Sequence, residues 1–247
     1  MLMPTLRRLL VVAILLSLCY QRMVSQVAET DSLAQYSREE LLGKFSPAKH
    51  SAFQLIEARY STKTDIYLRK EAYDAFKRMH AAALKDGITL TILSATRNFD
   101  AQKAIWERKW RRPQYEDKSD LERIIDIMKF SSMPGTSRHH WGTDIDMNSL
   151  EPDYFAQGKG LLIYQWLTKH ASEFGYYQTY TSKTNGRTGY EEEAWHWSYM
   201  PIAGPMLEAY NRTISYSELT AFSGCTSADK ARVIEDFVNG IAPELKK

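Results

Sequence analysis

Two short segments of this 247-residue chain combine the residue types that bind a metal ion and activate water. In residues 137–146 (SRHHWGTDID), a glycine turn separates an imidazole from a carboxylate, so that His139 and Asp146 can fold back onto one point. In residues 193–196 (EAWH), a carboxylate precedes an imidazole by three positions. Two nitrogen ligands, one oxygen ligand and a fourth position left for water are typical of a catalytic zinc site.

A carboxylate that lies near such a site without binding the metal can take the proton from the attacking water. Glu193 is placed for this role, which leaves His139, Asp146 and His196 as candidate ligands. The same donors also suit iron(II), manganese or cobalt, so that the choice of zinc is an inference from ligand type. We therefore expect one Zn²⁺ ion and a hydrolytic reaction.

Three motifs resemble those of the zinc D-alanyl-D-alanine carboxypeptidases and D,D-dipeptidases. Residues 137–146 are similar to the family's Ser-x-His-x-x-Gly-x-x-x-Asp signature, and residues 193–196 to its Glu-x-Trp-His element. Upstream, residues 94–102 (SATRNFDAQ) resemble its Ser-x-x-Arg-Ser-x-x-x-Gln segment. All three occur in the family's order within residues 68–199, which is about half of the chain.

The resemblance implies a fold and a set of residue roles. The fold would be α+β, a small and mostly antiparallel sheet with flanking helices, of the hedgehog/D,D-peptidase type. The implied roles are zinc ligands (His139, Asp146 and His196), general base for the zinc-bound water (Glu193), substrate-positioning and transition-state-stabilising cation (Arg97) and further substrate contacts (Gln102, Ser137 and Trp195). A guanidinium suits the role of Arg97 because its forked donors match a carboxylate or an oxyanion.

Two residues depart from the pattern or complicate it. The family usually has a small residue two positions before the ligand aspartate, where this chain has Asp144. On a strand, Asp144 and Asp146 would point to the same face, which makes Asp144 a partner of a ligand, an alternative ligand or a solvent-facing side chain. His140 is interpreted as a neighbour that shapes the pocket, because the spacing to Gly142 favours His139 as the ligand.

Hydrophobic periodicity and turn residues predict alternating helices and strands around these motifs. The predicted helices are 67–85, 100–109, 121–130 and 161–174, and the predicted strands are 88–94 and 143–147. Residues 176–190 are predicted to be strands joined at Asn185-Gly186, a strong hairpin-turn signal. A helical tail is expected from about Pro205 onward.

The first 25 residues are predicted to be a secretory signal peptide, because a basic start precedes the apolar run 9–19. That run is shorter than the roughly 20 residues that span a bilayer, and an uncleaved anchor is the alternative. A lipid anchor at Cys19, at the end of the run, is a further alternative. Residues 26–204 are then the peptidase domain with its N-terminal helices, and residues 205–247 a helical extension packed on it.

The charge balance and the predicted export of the chain restrict the classes of function that it can have. Three of the 32 basic residues lie within residues 1–25 and none of the 30 acidic ones does, so that the remaining chain is nearly neutral. This balance argues against a nucleic-acid-binding protein. An exported zinc peptidase, periplasmic or in the cell envelope and without a membrane span once mature, would meet bacterial peptidoglycan.

The predicted activity is therefore that of a D,D-carboxypeptidase, which removes the terminal D-alanine from peptidoglycan stem peptides. A D,D-dipeptidase or an L,D-endopeptidase acting on the same polymer is the enzymatic alternative. A non-catalytic cell-wall-binding domain is the alternative from another class, and it is disfavoured because Glu193 and the three candidate ligands are all present.

Overall fold

The computed structural model describes residues 36–246. The predicted signal peptide and the alternative of a lipid anchor at Cys19 lie outside the described residues. Within the described part, no helix has both the length and the apolar composition needed to cross a membrane. The residues from Arg38 onward belong to a single unit.

The strands form two antiparallel sheets. In chain order they are β1 (Phe53–Leu55), β2 (Tyr67–Arg69), β3 (Ile92–Ser94), β4 (Asp144–Met147), β5 (Tyr176–Gln178) and β6 (His196–Tyr199). β1 pairs with β2, and the other four strands form a second sheet in the order β3-β4-β6-β5. Every pair in this larger sheet is antiparallel.

Helices flank these sheets. In chain order they are α1 (Arg38–Leu41), α2 (Lys70–Lys85), α3 (Phe99–Trp110), α4 (Asp120–Ile127), α5 (Pro152–Phe155), α6 (Gly158–His170) and α7 (Met200–Thr213). Short 3₁₀ turns connect them, and one of these, Arg138–Trp141, belongs to the site. The predicted α+β class, a small antiparallel sheet with flanking helices, is confirmed.

The core lies between α2 and the larger sheet, and it orients β4. Apolar residues of α2 such as Phe76 and Met79 recur every three or four positions and are fully buried. They belong to one cluster with Ile145 and Met147 of β4. Because successive strand residues face opposite ways, burying these two side chains turns Asp144 and Asp146 to the other face, where the site lies.

The helix α3 begins directly after Arg97. Its N-cap is Asn98, whose side-chain oxygen accepts a hydrogen bond from the Ala101 backbone N–H at 2.9 Å. Such a cap satisfies one of the unpaired donors of the first helical turn. The cap therefore fixes where the helix starts relative to Arg97, and one turn later the helix carries Gln102 to the site.

Several predicted boundaries differ from the structure. Residues 67–69, predicted as helix, form β2, because their backbone pairs with β1. The predicted strand 88–94 is regular only over Ile92–Ser94. The hairpin predicted at residues 176–190 is wrong, since β5 pairs with β6, and Gly186 follows the 3₁₀ turn Lys183–Asn185. The position predicted to start the extension, Pro205, lies inside α7.

The segment after α7 is bonded to parts of the chain that border the site. The Ala242 N–H donates to the Thr179 carbonyl at 2.9 Å, and the Arg187 guanidinium donates to the Gly240 carbonyl at 3.2 Å. These bonds hold residues 179–187, which precede Glu193, against the C-terminal segment.

Gly142 ends the turn that carries His139. Its φ is +69°, in the left-handed region that favours glycine. A Cβ at this position would lie 2.2 Å from Cε1 of Phe53 and 3.1 Å from Oγ1 of Thr96. Both the backbone conformation and the space therefore require glycine.

We expect G142A to destabilise the protein more than G87A. Gly87 has a similar φ of +72° but nothing within 4 Å of the position that a Cβ would occupy. G87A should therefore lose only the left-handed conformational preference, about 1–2 kcal/mol, whereas G142A adds a clash in the core. Urea unfolding of both variants measures the difference, and equal losses would contradict the account.

Candidate metal centre and cleft

The antiparallel pairing of β4 with β6 brings the two halves of the site together. In this register Asp146 lies opposite His196, although the two are fifty positions apart in sequence. On the other side of β4, Ser94 of β3 also lies opposite Asp146. Asp146 therefore occupies a central strand, and both motifs that flank it in the sequence become its neighbours in space.

His139 reaches the same point from the 3₁₀ turn Arg138–Trp141. Its Nδ1 lies 2.8 Å from the Ala95 carbonyl, so that Nδ1 carries the proton and donates it. The other ring nitrogen, Nε2, keeps its lone pair and lies 3.3 Å from Oδ2 of Asp146. Burial and the nearby Arg97 lower the pKa of His139, which keeps the ring neutral.

The three predicted ligands form a buried group with metal-binding geometry. One ligand atom each from His139, Asp146 and His196 lies within 4.8 Å of the other two. The two imidazole rings meet edge to face, with centroids 4.9 Å apart. Two imidazole nitrogens and one carboxylate oxygen are a ligand set that fits a divalent transition metal, and zinc in particular.

Asp144 lies behind His196 and outside this group. It is fully buried, and its Oδ2 is 2.8 Å from Nε2 of His196. The other nitrogen of that ring, Nδ1, lies 3.0 Å from Oδ1 of Asp146. Asp144 is therefore not the solvent-facing side chain that the sequence left open, and it lies in contact with the candidate ligand His196.

His140 also has a defined place. Its Nδ1 lies 2.6 Å from the Arg97 carbonyl, and its Nε2 accepts a hydrogen bond from the Gly135 N–H at 3.0 Å. Burial lowers the pKa of His140 to about 3, so that the ring is neutral. It thus fastens the backbone of Arg97 to the turn that carries His139, while its interpretation as a neighbour that shapes the pocket stays a prediction.

Glu193 is buried beside the candidate ligands. Its Oε2 lies 3.7 Å from Nδ1 of His196, and its backbone N–H donates to the Tyr180 carbonyl at 2.9 Å. Burial raises the pKa of Glu193 to about 8, against the opposing effect of His196. A carboxyl group with its pKa close to neutrality can both accept and return a proton.

Arg97 extends its side chain into the same region. Its Nη1 donates to Oγ of Ser94 at 3.1 Å and lies 3.7 Å from Oδ2 of Asp146. Its backbone N–H donates to the His139 carbonyl at 3.1 Å. About a quarter of the side chain is exposed, which leaves part of the guanidinium available to a bound molecule.

A cleft of about 710 Å³ is lined by all of the predicted site residues. Within it, Gln102 donates to the Ser132 carbonyl at 2.6 Å, while its Oε1 has no partner among residues 36–246. The hydroxyl of Ser137 also lacks a partner there. Trp195 packs near Phe130 and Phe155. The substrate contacts of these residues stay predictions.

The cleft is also lined by residues that the sequence does not indicate as site residues. Tyr180, Tyr190 and Lys109 are among them. The ring of Tyr180 lies 4.7 Å from that of His196, centroid to centroid, and covers one side of the imidazole. Residues 176–190 are rich in aromatic side chains, a composition that is typical of strands and therefore does not by itself indicate a cleft. Lys109 shares a helix with Gln102 and lies two turns further along.

Comparison with known proteins identifies the family. A family model described as VanY, D-alanyl-D-alanine carboxypeptidase, matches residues 65–202, which is more than half of the chain. The chain belongs to this family. The resemblance inferred from the three motifs is thereby confirmed, and all three motifs lie within the matched residues.

Individual relatives are distant. The Bacillus subtilis (strain 168) protein YodJ is 30% identical over 142 residues, which cover 54% of this chain and 46% of YodJ. The chain spans about half the length of the curated relatives it matches.

Two solved structures share the fold. VanYB in complex with D-alanine-D-alanine aligns with a TM-score of 0.50 at 20% identity, over 67% of this chain and 87% of that one. The LD-carboxypeptidase LdcB aligns with a TM-score of 0.52 at 24% identity, over 73% and 82% of the two chains.

The raised pKa of Glu193 predicts how stability depends on pH after metal removal. Folding favours the protonated carboxyl group of Glu193. The stability that this group contributes is therefore fully present below its unfolded-state pKa of 4.5 and is lost as the pH rises through about 8. In EDTA, wild type should therefore lose stability between pH 5 and pH 8 through this group, whereas E193Q should not. The difference between their free energies of unfolding, E193Q minus wild type, should increase by more than about 1 kcal/mol over this range.

The neighbouring, exposed Glu192 supplies the control. E192Q should follow wild type across the same pH range in urea unfolding. If E193Q also follows wild type, the carboxyl group of Glu193 is not held in the environment described.

Proposed function

We propose that this protein is a zinc D,D-carboxypeptidase that removes the terminal D-alanine from peptidoglycan stem peptides. The observation that carries the proposal is the buried group of three ligand atoms beside Glu193 in the cleft. The family description and the bound D-alanine-D-alanine of the structural neighbour VanYB support the same substrate. Export to the cell envelope, predicted from residues 1–25, would place the enzyme with this polymer.

His139, Asp146 and His196 would hold the zinc ion. When bound, zinc supplies a Lewis acid that polarises the scissile carbonyl and lowers the pKa of water towards neutrality. The positive charge also favours the ionised form of a nearby carboxyl group. Glu193 would therefore be ionised in the loaded enzyme and ready to act as a base.

Glu193 moves the proton. Its carboxylate accepts a proton from the water that attacks the carbonyl carbon. It then delivers this proton to the nitrogen of the departing D-alanine as the C–N bond breaks. The cleavage thus yields a free amine and a new carboxylic acid, whose proton then passes to the amine to give an ammonium group and a carboxylate, and Glu193 returns to its starting state.

Arg97 offsets the negative charge that develops on the carbonyl oxygen. Preorganised donors aimed at this charge are worth several kcal/mol in a site that excludes water. The backbone of Arg97 is held from both sides, through bonds to His139 and His140. The guanidinium therefore needs little reorganisation when substrate binds.

Lys109 gives the cleft a further place for an anion. It is half-buried on α3, and no hydrogen bond or ion pair of its ammonium group is found among residues 36–246. Burial and the neighbouring Arg112 lower the pKa of Lys109. A carboxylate of the peptide substrate would relieve this unpaired charge.

The reaction is tested with a muropeptide that ends in D-Ala-D-Ala, followed by mass spectrometry. Loss of one alanine is expected, together with inhibition by a chelator. E193A should lower turnover by 10²–10⁴-fold, the usual contribution of a general base, while zinc content stays at one equivalent. E192A, altered at the adjacent exposed position, should retain activity.

Other products would indicate a different peptidase activity. Release of the dipeptide D-Ala-D-Ala indicates a D,D-dipeptidase, whereas cleavage deeper in the stem indicates an endopeptidase. Activity only on a stem that ends in one D-alanine indicates an L,D-carboxypeptidase. If no chelator-sensitive product forms from any of these substrates, the peptidase proposal fails.

The role of Lys109 is tested by K109M. We expect KM to rise roughly tenfold, the equivalent of about 1.4 kcal/mol, with kcat nearly unchanged because the lysine binds substrate away from the reacting atoms. K103M, which removes a lysine of the same helix that does not line the cleft, is the control. An unchanged KM in K109M would rule out this contact.

A further inference from the structure

The carboxylate of Asp144 accepts four hydrogen bonds. Its Oδ1 accepts from the hydroxyls of Thr143 at 2.6 Å and Ser198 at 2.7 Å. Its Oδ2 accepts from Nε of Arg138 at 3.0 Å and from Nε2 of His196 at 2.8 Å. Both oxygens are thus fully used within the protein, and Asp144 has no remaining capacity to bind a metal.

These partners determine where His196 carries its proton. Nε of Arg138 donates to Oδ2 of Asp144, and the hydroxyls of Thr143 and Ser198 donate to Oδ1. A carboxylate that is paired with a guanidinium and surrounded by donors acts as an acceptor, so that Nε2 of His196 donates to it. The lone pair that binds a metal must then be on Nδ1, the nitrogen that faces Asp146.

The ion pair of Arg138 with Asp144 is costly to maintain. Both side chains are completely buried, and the guanidinium lies over the Trp141 ring, 4.7 Å from its centroid. A buried ion pair is often no more stable than apolar residues of the same size, because two charges lose their hydration. A role beyond fold stability would account for it.

Metal-binding histidines usually donate their second ring N–H to a carbonyl or a carboxylate, which fixes the ring and strengthens the ligand. His139 has the Ala95 carbonyl for this purpose. We propose that Asp144, with its charge balanced by Arg138, is a positioning residue that holds His196 as the Nε2–H tautomer and directs Nδ1 to the metal ion.

The double variant R138M/D144L tests this role. It replaces the buried ion pair by apolar side chains, a change that often leaves stability unaltered, and it removes the acceptor for Nε2 of His196. Its zinc Kd, measured by competition with a chromogenic chelator, should rise 10–100-fold. The control S198A removes one bond to Asp144 and leaves the Asp144 contact with His196, so that its Kd should stay within threefold of wild type.

A measurement on the unaltered protein keeps the proposal testable even if the double variant does not fold. In ¹⁵N-histidine-labelled, zinc-loaded wild type, long-range ¹H–¹⁵N spectra should show His196 protonated at Nε2 and metal-bound at Nδ1. Zinc bound at Nε2 of His196 would overturn the proposal, as would a folded double variant with the zinc Kd of wild type. Neither readout depends on hydrolysis, so that failure of the proposed activity would leave both results interpretable.

Discussion

The site depends on one constraint, the register of β4 against β6. A shift of this pairing by one residue would turn every side chain of the strand to the opposite face, and Asp146 would no longer meet His196. The register is fixed because Ile145 and Met147 must be buried in the core beneath α2. Hydrophobic burial on one face of the strand thus sets the positions of the carboxylates on the other.

Around this constraint, the chain controls its buried charges by pairing them. Asp144 is balanced by Arg138, and the Arg97 guanidinium lies 3.7 Å from the carboxylate of Asp146. Glu193 differs, because burial dominates its environment and raises its pKa. The carboxyl group proposed to exchange protons is therefore the one that is least stabilised as an anion, whereas those proposed to bind or to orient are held ionised.

The sequence predicted the chemistry better than the topology. His139, Asp146, Glu193 and His196 can be singled out as candidate site residues because their spacing within each short motif is local. The pairing of β5 with β6 could not, since Asn185-Gly186 provides a strong local turn signal and the actual partner is set by tertiary packing. The role of Asp144 was also undetermined, because its partner Ser198 and its contact with His196 come from a strand fifty residues away.

The central claim is that His139, Asp146 and His196 bind one metal ion. It is tested most directly by anomalous diffraction at the zinc edge from crystals of the zinc-loaded protein. The account predicts a single strong peak about 2.0–2.2 Å from Nε2 of His139, Nδ1 of His196 and a carboxylate oxygen of Asp146. A peak bound by Asp144, or no peak at these three residues, would contradict it.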